Sequence, residues 1–148
     1  MTDDPATPAP RGHELSSGWG RALVFLYGVF AVAATGRSAV QLGLHADRAP
    51  LAYSLSLVAA VIYLVATTCL LLGGARGWRM AVVAVSLELL GVLSVGTLSY
   101  VATDLFPDRT VWSHFGQGYG FLPLVLPFLG LAWLRHTAPG RQGGESGH

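Results

Sequence analysis

The chain has 148 residues, of which 52% are hydrophobic and only 11% are charged, about half the charge usual in a soluble domain. A surface that binds nucleic acid is strongly basic, whereas the net charge of this chain is only +1, so no nucleic-acid partner is expected. The single cysteine, Cys69, excludes a disulfide framework within the chain.

Four long apolar runs fill most of the chain, at residues 21–44, 51–73, 79–102 and 111–134. A hydrocarbon core of about 30 Å is crossed by about 20 helical residues, and each run is long enough. Because the first two connections are short, consecutive helices should be antiparallel neighbours. The sequence therefore predicts an all-α polytopic membrane protein, with an antiparallel bundle of four transmembrane helices over residues 19–136.

The two ends of the chain are polar. Residues 1–18 and 137–148 have too little apolar surface to bury and are predicted to be disordered tails. Arginines flank the runs unevenly, with six on the side of the tails and only Arg48 and Arg109 on the other. This positive-inside bias predicts a multi-pass protein of the cell (cytoplasmic) membrane with both tails in the cytoplasm.

Helical spacing separates small or polar side chains from bulky ones in two of the runs. Lipid does not drive helices together, so helix association relies on close packing of small residues and on interhelical hydrogen bonds. The faces predicted to point inward are Ser56, Ala60, Tyr63 and Thr67 in the second run and Ala84, Glu88, Gly91, Val95 and Ser99 in the third.

Glu88 is the acidic residue placed near the middle of a run. An ionised carboxylate at that depth costs about 2.5–3.5 kcal/mol, so the carboxyl should be protonated, hydrogen-bonded or paired. Tyr63 is predicted at a similar depth and is the preferred partner, while the carbonyl of Pro123, freed by Pro127, is a second acceptor. Two interpretations stay open: a proton-binding or ligand-binding carboxyl, and a structural hydrogen bond or intersubunit contact.

Arg37 lies late in the first run, with Gln41 one turn beyond it on the same face. Its long side chain can extend to the outer interface as an anchor, or the pair can line an anion or lipid-headgroup site that opens outward. An ion pair with Glu88 is not expected, because the two residues differ in depth by about 12 Å.

The loop at residues 103–118 is the longest connection. Imidazole and carboxylate groups bind divalent metals, and the candidates predicted on this side are His45, Asp47, Asp104, Asp108 and His114. Their spacing matches no known metal-site signature, so no metal or other cofactor is predicted. The preferred interpretation places the apolar loop residues along the headgroup region, with the aspartates capping turns.

Three stretches carry a family resemblance: VFAVAATGRSAVQL, APLAYSLSLVAAVIYLVAT and LFPDRTVWSHFGQGYGFLPLVLPFLGLAWL. Over residues 21–135 the chain resembles an uncharacterised family of small four-helix integral membrane proteins of actinobacteria. The resemblance implies four spans and supplies no activity, cofactor or catalytic residue. The nine basic residues are all arginine, a composition typical of the GC-rich genomes of such hosts.

Two functional hypotheses follow. The first is a non-enzymatic accessory or assembly subunit, with the lipid bilayer and a membrane-protein partner or a second copy of the chain as its partners. The alternative is a proton-coupled or small-solute carrier in which Glu88 titrates and Tyr63, Arg37 and Gln41 line the path. An enzyme is not expected, because the water-exposed segments offer no nucleophile and base.

Overall fold

The computed structural model describes residues 12–140, with side chains from Gly18 onward. Four α-helices follow one another: α1 (Gly12–His45), α2 (Pro50–Leu72), α3 (Gly74–Val101) and α4 (Leu122–His136). The described part of the chain contains no β-strand, so the all-α bundle is confirmed. The predicted tails fall mostly outside the described residues, although α1 already begins within the first of them.

Three helical segments are long and apolar enough to span a membrane: Gly18–His45, Pro50–Leu72 and Gly74–Val101. Consecutive helices are packing neighbours, as the short connections predict. Between α2 and α3 the chain reverses at Gly73 (φ +63°), a backbone conformation that favours glycine. Large aliphatic and aromatic side chains cover the outer surface, including Val32 (74% exposed) and Phe25 (70% exposed), as expected of a surface that faces lipid.

The fourth predicted run, 111–134, is not one continuous helix. Its helical part, α4, has 15 residues and a length of about 22 Å, less than the hydrocarbon thickness. It is preceded by 3-10 turns at Ser113–Tyr119, and the two pieces are bent by 98°. Hydropathy summed along the run could not detect this break, which follows from proline at the start of α4 and positive φ at His114, Phe115 and Phe121.

The broken run nevertheless returns to the end of the bundle where α1 starts. The indole Nε1 of Trp78, near the start of α3, donates to the carbonyl oxygen of Leu134 over 2.8 Å. A Cβ added at Gly20 of α1 would lie 2.7 Å from the ring of Trp133. The last turn of α4 therefore lies beside the first turns of α1 and α3.

Most residues on the faces predicted to point inward are buried, while Thr67 and Gly91 are half-buried. Ser56, Ala60 and Tyr63 are each at most 1% exposed, and Ala84, Glu88, Val95 and Ser99 are also buried. Of the bulky residues expected on the opposite, lipid-facing sides, Val58 and Leu93 are exposed. Others are half-buried and pack against the core: Leu55, Ile62, Val65, Val82 and Leu89. The 3.6-residue period of small and polar side chains is therefore a sound guide to the interior of α2 and α3.

Candidate functional site: a buried carboxyl and the segment that covers it

Residues 110–121, which we term the inserted segment, fold back into one end of the bundle. A Cβ added at Gly91 of α3 would lie 2.6 Å from the ring of Trp112. A Cβ added at Gly96 would lie closer still to the ring of Phe115. Gly91 lies ten residues before the end of α3, so the Trp112 ring reaches about 15 Å along that helix. The glycines on α3 leave the space that these two aromatic rings fill.

The non-helical backbone of this segment is paired by nearby hydroxyl groups. Thr110 Oγ1 accepts from the backbone N–H groups of Trp112 (3.1 Å) and Ser113 (3.0 Å). Ser99 Oγ on α3 accepts from the backbone N–H of His114 over 2.8 Å. Irregular backbone is tolerated at membrane depth only when protein groups satisfy it, and these hydroxyls do so.

Glu88 lies midway along α3 and is completely buried. Its Oε2 accepts a hydrogen bond of 2.7 Å from the hydroxyl of Tyr27 on α1. A Cβ added at Gly130 of α4 would lie only 3.1 Å from that hydroxyl, so the glycine makes room for it. The carboxyl is thus enclosed by helices on several sides.

The predicted partner, Tyr63, also lies beside the carboxyl and has a second partner of its own. Its hydroxyl faces the carboxyl of Glu88, but Oε1 makes no hydrogen bond within the described residues. Instead, the Tyr63 oxygen accepts from Nε1 of Trp112 over 3.1 Å. Tyr63 and Glu88 therefore lie beside each other, as predicted, and interact, while the hydrogen bond to Oε2 comes from Tyr27. We term Tyr27, Tyr63, Glu88 and Trp112 the Glu88 cluster.

Sequence reasoning missed Tyr27 because the buried face of α1 mixes small residues such as Ala34 and Ser38 with large apolar ones. That face carries Leu23, Phe30 and Ala31 beside Tyr27, a mixture that resembles ordinary apolar packing. A usable signal existed, since a tyrosine hydroxyl buried in a span needs a polar partner and Glu88 was the carboxyl placed at membrane depth.

The cluster can hold one proton on its carboxyl. An ionised carboxylate in such surroundings is costly, whereas the neutral acid accepts from Tyr27 at Oε2 and can donate from Oε1 toward the oxygen of Tyr63. This arrangement joins α1, α2, α3 and the inserted segment through one group of polar side chains.

Arg37 contacts the inserted segment and also Arg109, the residue that precedes it. Its Nη1 donates to the hydroxyl of Tyr119 over 3.1 Å, and its Nη2 donates to the backbone carbonyl of Arg109. The Nε atom donates to Oε1 of Gln41 over 3.3 Å, so the two residues share a face as predicted. These three acceptors are neutral, and within the described residues Arg37 forms no ion pair with Glu88.

The candidate metal ligands are not brought together. Asp108 accepts a hydrogen bond from the hydroxyl of Tyr53, and the ring of His114 packs edge-on against Tyr100 at 4.6 Å. His45 ends α1, and Asp104 lies in a short 3-10 turn. Among the residues that the structure describes, no group of three His, Cys, Asp or Glu side chains is placed to hold a metal ion.

Comparisons with protein-family models, with curated proteins and with solved structures gave no match to this chain. The resemblance to four-helix membrane proteins of actinobacteria therefore stays a prediction.

Proposed function

We propose that the protein is a four-pass integral membrane protein of the cell membrane, with both termini in the cytoplasm, and that it acts as a non-enzymatic accessory or assembly subunit of a membrane complex or homo-oligomer. The single observation that carries this proposal is the sealing of Glu88. Its carboxyl is completely buried and is hydrogen-bonded across the bundle to Tyr27.

Close packing around the carboxyl supports a structural role. Trp112 packs against Gly91, and Tyr27 packs against Gly130. At either glycine, an added Cβ would lie too close to the neighbouring side chain. Such contacts favour a rigid unit that presents its outer surface to lipid and to partners. A carrier has to open a path to its titrating group, and this packing works against such opening.

Three observations support the membrane placement. Three helical segments have the length and hydropathy of spans, and the proposal takes the bent pair Ser113–Tyr119 and Leu122–His136 together as the fourth. The hydrogen bond from Trp78 to Leu134 places the end of α4 beside the start of α3. The arginine bias then assigns that end of the bundle to the cytoplasm.

The experiment has two arms, and the first measures mass. Protein extracted from native membranes with a styrene–maleic acid copolymer, without detergent, is sized by mass photometry or native mass spectrometry. An accessory subunit is expected in particles that contain more protein than one chain of 15.6 kDa. A single chain per particle would contradict the proposal.

The second arm measures proton flux in liposomes that contain the purified protein and an internal pH-sensitive dye, under a potassium diffusion potential. A subunit without transport activity gives the flux of empty liposomes for both the wild type and Glu88→Gln. Flux above that level in the wild type, lost in Glu88→Gln, would contradict the proposal and establish the alternative.

That alternative, a proton-coupled carrier, is favoured by one specific observation. Oε1 of Glu88 makes no hydrogen bond within the described residues, so the carboxyl has capacity for a proton or a ligand donor. The hydroxyl of Tyr63 is a second polar neighbour of this carboxyl. We place this hypothesis second because the close packing around the carboxyl opposes access to it.

A further inference from the structure

A polar cavity of about 270 Å³ opens between α1 and the inserted segment. Its lining includes Arg37, Arg109, Ser113, Gln117 and Tyr119. The cavity lies at the end of the bundle opposite the junction of Trp78 with Leu134. It is well separated from Glu88, since the ring of Phe30 packs between the rings of Tyr63 and Tyr119 at 5.7 Å and 5.8 Å.

The lining of the cavity contains two arginines and no acidic residue. Arg37 and Arg109 both contribute to it, and its described lining contains neither Asp nor Glu. The nearest acidic residue in sequence, Asp108, is held by the hydroxyl of Tyr53 on α2. The hydrogen bonds of Arg37 all go to neutral acceptors, so no carboxylate of the described residues contacts its guanidinium.

The position of Arg37 makes this lack significant. It lies eight residues before the end of α1 at His45, or about 12 Å along the helix, and it is only half-buried among neutral acceptors. The carbonyl of Arg109 is the kind of partner that a cation at such depth normally finds, but it carries no formal charge. Hydrogen bonds to Gln41, Tyr119 and a backbone carbonyl fix its orientation without neutralising it.

Arg109 differs from Arg37 in that its guanidinium is not held by neighbouring residues. Its side chain is exposed, and its guanidinium makes no hydrogen bond or ion pair with any described residue, so its donors are available. Arginine suits oxyanions because its planar donors match two oxygens at once. One oriented cation and one available cation on the same cavity form a site for a single anionic group.

We propose that this cavity binds a phosphate group, supplied either as free phosphate or as the headgroup of an anionic phospholipid. The volume suits one small group, because drug-sized ligands occupy pockets of about 300–1,000 Å³. Ser113 and Gln117 add polar contacts at the rim. The free-phosphate source is independent of the function proposed above, whereas the lipid source rests on the membrane placement in that proposal.

The test uses the full chain, purified in a neutral detergent and freed of lipid. Saturable binding of radiolabelled inorganic phosphate is measured for the wild type, for Arg109→Gln and for the matched control Arg48→Gln. Arg48 is an exposed arginine of the α1–α2 connection and does not line the cavity. We expect Arg109→Gln to weaken binding about tenfold, as the loss of one charge-assisted hydrogen bond predicts, and Arg48→Gln to leave it unchanged.

A second arm identifies the source. Nanodiscs of phosphatidylcholine with or without phosphatidylglycerol are prepared with the same three proteins, and retained lipid is counted by native mass spectrometry. Binding of inorganic phosphate alone supports a free anion, whereas retention of phosphatidylglycerol that depends on Arg109 supports a headgroup. The proposal is overturned if the wild type binds neither probe saturably, or if Arg48→Gln weakens binding as much as Arg109→Gln does.

Discussion

The hydroxyl of Tyr27 donates to Oε2 of Glu88 over 2.7 Å, between residues 61 positions apart in the chain. Both side chains are completely buried. Their helices, α1 and α3, pack mainly on other helices and make few close backbone approaches to each other. The hydrogen bond therefore joins two helices that are otherwise connected through α2 and α4.

Removing this donor should destabilise the bundle. Tyr27→Phe leaves Oε2 of a buried carboxyl without its partner, which costs about 1–3 kcal/mol. Thermal unfolding in detergent measures the loss. Tyr100→Phe is the matched control, since Tyr100 is an exposed tyrosine of α3 and its hydroxyl bonds to no described residue. Equal stability of the two variants would contradict the role of Tyr27.

Filling the space under Trp112 should displace the inserted segment. A Cβ at Gly91 would lie 2.6 Å from the Trp112 ring, so Gly91→Ala is expected to cost about 1–3 kcal/mol and to shift the tryptophan fluorescence to longer wavelength. Gly36→Ala on α1 is the control, because nothing lies within 4 Å of a Cβ there. That control should be neutral or stabilising by about 0.5–1 kcal/mol. A Gly91→Ala variant that matches it would refute the packing described here.

Sequence periodicity located the interior of α2 and α3 because small and polar residues repeat there at helical spacing and lipid-facing residues are bulky. The same reasoning placed Arg37 and Gln41 on one face. The prediction of a continuous helix failed at residues 111–121. Apolar residues are frequent there, but three glycines and the nearby Pro123 interrupt the helix. Average hydropathy cannot distinguish a straight span from a segment that bends and packs against α3.

The partner of Glu88 was unpredictable for a different reason. Tyr63 and Tyr27 both have hydroxyls at suitable depth, and the choice between them depends on how the helices pack. Trp112 takes the oxygen of Tyr63 as an acceptor, and this contact arises only when the inserted segment folds back. Side-chain pairing across the bundle therefore follows from the tertiary contacts of a segment that the sequence pattern misassigned.

Arg37 should hold the inserted segment in place. Arg37→Met removes the hydrogen bonds to Tyr119 and to the carbonyl of Arg109 while keeping a long apolar stem. Hydrogen–deuterium exchange should rise in residues 110–121 and stay unchanged in α2. The control Arg48→Met, in the α1–α2 connection, should leave both regions unchanged. Unaltered exchange in residues 110–121 of Arg37→Met would show that Arg37 does not anchor the segment.

Both ends of the bundle can be assigned to sides of the membrane with single cysteines. In a Cys69→Ser background, Asp104→Cys should react with an impermeant maleimide in intact cells. Ala75→Cys and Ala138→Cys should react only after the membrane is permeabilised, because the α2–α3 turn and the end of α4 lie together. Labelling of Ala138→Cys in intact cells would indicate three crossings instead of four.

The sealing of Glu88 is tested most directly by labelling with dicyclohexylcarbodiimide, which modifies protonated carboxyls that lipid-soluble reagents can reach. Mass spectrometry of the peptide that contains residue 88 measures the adduct. The positive control is Leu87→Glu in a Glu88→Gln background, because Leu87 is a neighbouring exposed position on α3. We predict no adduct at Glu88 in the wild type and a strong adduct in the control. An adduct at Glu88 as complete as in the control would contradict a sealed structural carboxyl and would favour a carrier.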